Sequence, residues 1–139
     1  IRILPCEFFP TLIIIIPMKH LKRSKIVDIL KLTPTNEIIN VKGWVRSKRG
    51  NKNVNFIALN DGSTIQNIQL VVDVEKFGEE YLKPISTGAC ISVNGILVAS
   101  QGQGQAVEIN ASEIQIYGEA DPLTYPLQKR DIRWSFYVK

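Results

Sequence analysis

The sequence predicts an all-β fold, a small closed barrel of five short strands with a helix between the third and fourth. Three observations point there. The hydrophobic period changes to two after Pro34 and stays there through most of the chain. The strands are short and carry glycines such as Gly43, which small barrels need where a strand bends sharply. One stretch in the middle, "VEKFGEEYLKPI", breaks the alternation and has a helical face. An open sheet of such strands would leave unpaired edges, and closure removes them.

Ahead of the strands, "SKIVDILK" (24–31) places Ile26, Val27, Ile29 and Leu30 on a helical face, with Ser24 available as N-cap. "LTPTNE" ends it at Pro34, so residues 18–36 read as a basic, helical N-terminal segment. "EIINVKGWVRSK" (37–48) is the first strand, and "RGNKN" (49–53) is the turn after it. "VNFIALND" (54–61) is the second strand, closed by "DGS". "IQNIQLVVD" (65–73) is the third. Phe77, Tyr81 and Leu82 then share a helical face, and the helix must stop before Pro84. "GACISVNGILVAS" (88–100) and "QAVEINASEIQIYG" (105–118) are the last two strands, joined by the polar loop "QGQGQ". This order is the OB arrangement, here over 37–118. That fold commonly binds oligonucleotides on the face of strands two and three and on adjacent loops.

The 139 residues suit one domain, and the net charge of +4 permits nucleic-acid binding without demanding it. Cys6 and Cys90 have no metal or redox spacing, and Cys90 is expected to be buried in its strand. The lone His20 has no acidic or cysteine neighbour at ligand spacing. There is no phosphate loop and no G-x-S-x-G, and "GQGQ" lacks the third glycine and following helix of a dinucleotide fingerprint. Glu75, Glu79 and Glu80 read as the solvated side of the helix. No catalytic residue, metal or cofactor is expected in this chain.

The residues do support a nucleic-acid surface. Arg46, Lys48, Arg49 and Lys52 cluster at the end of the first strand and its turn, where they can neutralise phosphates. Phe56 can stack on an unstacked base, Gln69 can bond a base edge, and Glu108 can accept from a base amino or imino group. Each has an alternative as core or as plain surface. Val54, Phe56 and Ala58 alternate with Ile57 and Leu59, so both faces are apolar and periodicity does not orient Phe56.

"KGWVRSKR", "FIALNDGS", "NIQLVVD" and "DPLTYPLQK" occur in that order within residues 22 to 130. Together they resemble the amino-terminal anticodon-binding domain of class IIb aminoacyl-tRNA synthetases, in its asparaginyl branch. The resemblance implies a tRNA anticodon stem-loop as partner. It places Phe56 under the central anticodon uridine, with Gln69 bonded to that base. Arg49 then lies against the anticodon backbone or a base, Glu108 is the fifth-strand glutamate, and Gln101 and Gln103 lie near the first anticodon base. It further implies a cytoplasmic, homodimeric parent enzyme that joins asparagine to tRNA with ATP and magnesium, in a catalytic domain that would follow a linker at 119–130. The isolated fragment would be a monomer. The equivalent domain of an aspartyl or lysyl enzyme, or a stand-alone single-stranded nucleic-acid-binding protein, are the alternatives.

Both ends depart from the pattern. "FFPTLIIIIP" is too short to span a bilayer as a helix and lacks the parts of a secretory signal. Met18 follows it, so residues 1–17 are expected to be an upstream extension, which intact-mass analysis of the natively expressed protein decides. After "YPLQK" the chain reads "RDIRWSFYVK" where the resemblance would continue like "KRHSxEFLR". One inserted A in a compatible codon string converts KRDIRWSFYV to KKRHSMEFLR. Residues 131–139 are therefore expected to be a frameshifted tail, which sequencing of the source DNA decides.

Overall fold

The computed structural model describes residues 21–125. The extension expected at 1–17 and the frameshifted tail expected at 131–139 lie outside them, as do His20 and Cys6. Five strands form the fold: β1 Ile38–Gly50, β2 Val54–Asn60, β3 Ile68–Asp73, β4 Cys90–Ala99 and β5 Val107–Gly118. They close in the order β1-β2-β3-β5-β4, with β3 and β5 parallel and the other pairs antiparallel. This is the expected closed five-stranded barrel.

Alternation fills the interior. Val41 and Val45 of β1, Ile57 and Leu59 of β2, and Leu70 and Val72 of β3 are all buried, as are Ile91, Val93, Leu97 and Ile109 of the last two strands. Gly43 allows β1 to turn from one neighbour to the next. Up to Trp44 the strand pairs with β4, and from Trp44 it pairs with β2. A Cβ on Gly43 would lie 2.5 Å from the carbonyl oxygen of Asn60, so only glycine admits this approach. The bulge itself falls three residues later, at Arg46, between the pairs Val45↔Leu59 and Ser47↔Ala58.

Several expected boundaries move. Arg49 and Gly50 belong to β1 rather than to a turn, because they pair with Phe56 and Asn55. The turn is only 51–53, held by Asn51 Oδ1, which accepts from the amides of Asn53 and Val54 at 2.9 Å each. β3 starts at Ile68 because Asn60 Nδ2 shares its two hydrogens among the carbonyls of Thr64 and Gln66 and Asn67 Oδ1, which keeps that segment a loop. The helix expected after β3 is two single turns, α2 Val74–Phe77 and α3 Glu79–Leu82, separated by Gly78 at φ +86°. Cys90 is the first residue of β4 and only half-buried, as a strand end is less covered than its middle.

The N-terminal helix is one turn, α1 Ile26–Ile29, whose two end isoleucines enter the core. Ser24 is not its cap; the Ser24 amide donates to the Asn40 carbonyl instead. Asp61, from the β2–β3 loop, takes that role by accepting from the Ile26 amide at 3.0 Å, with Ser63 Oγ accepting from the Val27 amide at 3.1 Å. Burial raises the Asp61 carboxyl, but bonds from the Ser63 hydroxyl and the Ile26 and Ser63 amides, with Arg23 at 3.7 Å, outweigh it and hold it below its ordinary 3.8. A depressed carboxyl stabilises the fold above its unfolded pKa and loses that contribution as pH falls through the folded value. Asp61→Ala is expected to cost about 0.5–2 kcal/mol at pH 7, and less at pH 3. Urea unfolding of both chains at the two pH values measures this, and an equal cost at both would contradict it.

Candidate nucleic-acid interface

Residues opposite one another across a sheet share a face. On the outer face of the barrel, β1 to β2 to β3 to β5 give two such rows. The first is Arg49, Phe56, Val71 and Asn110; the second is Ser47, Ala58, Gln69 and Glu108. Phe56 therefore points away from the core. Its neighbours Ile57 and Leu59 are fully buried, whereas Phe56 is half-buried. The side that alternation left open is the outer one.

The first row, with Gln69 and Glu108 of the second, forms the floor of a cleft of about 940 Å3, with the loop 100–105 as its wall. Gln101 and Gln103 are exposed on that wall. A second depression of about 520 Å3 adjoins it, sharing Arg49, Phe56 and Gln69 and extending to Asn67 and Leu30. Phe56 and Arg49 thus border both hollows. Gln69 Nε2 donates to Glu108 Oε2 at 3.2 Å, and Ser100 Oγ donates to the same oxygen at 3.3 Å. Gln105 Nε2 donates to the Asn67 carbonyl at 3.3 Å and so ties the two loops that flank the cleft. The result is an apolar ring, a planar cation that can bond or stack, and a polar pair with free acceptors, all on one open face. That set suits an unpaired base and its phosphate.

Not every expected contact is brought here. Lys48 lies opposite Ile57, on the inward side of β1, at the end of the barrel. Its ammonium donates to the Leu82 carbonyl, and burial lowers its pKa. Lys48 and Lys52 line a separate hollow with Glu79, Glu80 and Lys83, beside α2 and α3. Arg46 is exposed on the bulge and lines neither hollow of the cleft. The basic run is thus split by strand alternation, and Arg49 alone of the four reaches the cleft. Sequence reading missed Ser100, Gln105 and Asn110, which only the pairing of β5 with β3 brings to the site. Among the described residues there is no cluster of metal-ligating side chains and no helix long and apolar enough to cross a membrane.

A family described as OB-fold nucleic acid binding domain matches residues 39–117, which is the barrel. The asparagine–tRNA ligase of Parabacteroides distasonis is 67% identical over 119 residues, 86% of this chain and 25% of that protein. The asparagine–tRNA ligase of Bacteroides fragilis is 58% identical over 119 residues, with the same coverage of 86% and 25%. The chain spans about a quarter of the length of the curated relatives it matches. Among solved structures, the asparaginyl-tRNA synthetase of Entamoeba histolytica in complex with asparaginyl-adenylate superposes with a TM-score of 0.65 at 21% identity, covering 82% of this chain and 28% of that one. That likeness shows the fold. Matched along its barrel and carrying an open cleft on the outer face of β1, β2, β3 and β5, the chain belongs to the anticodon-binding family of OB-fold nucleic acid binding domains.

Proposed function

We propose that this chain is the anticodon-recognition module of an asparagine–tRNA ligase. The observation that carries the reading is the convergence of Arg49, Phe56, Gln69 and Glu108 on one outer face, within a sequence 67% identical to such a ligase. Phe56 supplies the platform for the central base of a single-stranded loop. Gln69, bonded to Glu108, supplies the hydrogen bonds that choose it. Arg49 approaches the backbone or an adjacent base, and the rim glutamines Gln101 and Gln103 face the first anticodon base. The catalytic step, in which asparagine, ATP and magnesium would meet the tRNA acceptor end, belongs to the remaining three quarters of the parent. That parent is read as a cytoplasmic homodimer.

The division of the basic residues gives a direct test. An anticodon stem-loop is titrated against the chain over a range of salt concentrations. A phosphate contact contributes about 0.7–1 to the slope of log affinity against log salt. Arg49→Ala is expected to lower the slope by that amount. Lys48→Ala is expected to leave it unchanged and to lower stability, since the Lys48 ammonium is bonded to Leu82. The reverse pattern would move the interface to the α2–α3 side and overturn the reading.

A further inference from the structure

The hydrogen bonds around Gln69 say more than that a polar group lies in the cleft. The Gln69↔Glu108 register across the parallel β3–β5 seam sets the two side chains against each other on the outer face. Gln69 Nε2 donates to Glu108 Oε2 at 3.2 Å, and Ser100 Oγ donates to that same oxygen at 3.3 Å. An ionised carboxylate only accepts. The Gln69 amide must therefore turn its nitrogen toward Glu108 and its Oε1 elsewhere. The Ser100 bond gives the carboxylate a second anchor against turning away.

This matters because a glutamine amide is otherwise ambivalent. One orientation presents an acceptor followed by a donor, and the flipped one presents the reverse. Uracil offers a ring N–H beside a carbonyl. Cytosine offers a bare ring nitrogen beside an amino group. The amide as held by Glu108 has Oε1 free to accept from a ring N–H, with the second Nε2 hydrogen free for the neighbouring carbonyl. That matches uracil. To read cytosine the amide must flip, which sets Gln69 Oε1 against the Glu108 carboxylate. Two acceptors would then face each other where a hydrogen bond had been, and an unmade bond of this kind is costly.

We propose that Glu108 is a positioning residue that fixes the polarity of the Gln69 amide, and that this lock selects a base with a ring N–H donor, such as uracil, over cytosine. The proposal rests on the reading that a base stacks on Phe56 in this cleft. Guanine has the same local polarity as uracil, with its N1–H beside O6, so the lock discriminates against cytosine and adenine. It replaces a direct contact between Glu108 and the base with an action through Gln69.

The test uses Glu108→Gln, which keeps shape but can either accept from Gln69 or donate to it. Two short single-stranded RNAs, identical except for U or C at the central anticodon position, are titrated by fluorescence anisotropy against the unaltered chain, E108Q and F56A. The unaltered chain is expected to favour the U strand by about tenfold or more, as a well-made paired contact does. E108Q is expected to reduce the preference to about threefold or less, chiefly by gaining affinity for the C strand. A merely damaged site would weaken both strands together and would not produce that gain. A preference unchanged in E108Q would overturn the lock, as would no preference in the unaltered chain. F56A separates the two levels of the account. If it leaves both affinities unchanged, the stacking reading has failed; if it weakens both while E108Q keeps the preference, only the lock has failed.

Discussion

Phe56→Ala is expected to weaken binding of an anticodon stem-loop by about 1–3 kcal/mol, or about 5- to 150-fold, with little change in stability. Phe56 is on the outer row of β2, opposite Arg49 on one side and Val71 on the other, and forms part of both hollows of the cleft. Its removal deletes a stacking platform. The fold loses only cross-strand contacts of about 0.2–1 kcal/mol. Isothermal titration with the stem-loop, beside a thermal melt, measures both quantities. Unchanged affinity in a folded variant would remove Phe56 from the interface.

The next residue gives the opposite result. Ile57 is fully buried in the barrel interior and pairs across to Lys48 and Leu70. Ile57→Ala leaves a cavity in a closed barrel whose walls are hydrogen-bonded all round and cannot collapse far. The expected loss is about 2–5 kcal/mol. For a domain of this size that lowers the melting midpoint by about 10–30 °C. At a temperature where the variant is still folded, its affinity for the stem-loop should remain within about twofold, since no cleft atom has been removed. Two adjacent residues, one side apart, thus separate binding from stability. A variant of Ile57 that melted normally would mean that β2 is oriented the other way.

The contrast shows what the sequence carried and where it stopped. Strand order, the helix between the third and fourth strands and the closing of the sheet were legible because alternation, glycine placement and turn residues are local signals. The side on which Phe56 lies was not legible, since Val54, Phe56, Ala58, Ile57 and Leu59 make both faces of β2 apolar. The orientation came from the burial of Ile57 and Leu59 by the other strands. Lys48 was grouped with Arg49 by proximity in sequence, yet one residue in a strand reverses the face, and the Lys48 ammonium ended on the Leu82 carbonyl. The Gly78 break was written in the sequence as a glycine, but an apolar helical face masked it. The bond between Gln69 and Glu108 joins residues 39 apart, and only the β3–β5 register creates it. Resemblance named both residues without showing that one holds the other.

The central claim is that the outer face of β1, β2, β3 and β5 reads an anticodon, and that the anticodon is that of asparagine. The most direct measurement is a side-by-side titration of three stem-loops, carrying the asparagine, aspartate and lysine anticodons, against the same chain at one salt concentration. The account predicts measurable binding to all three, because they share the central uridine, with the asparagine stem-loop bound most tightly. Equal affinity for the three and for a loop lacking that uridine would contradict it, and would leave a barrel that holds single strands without reading them.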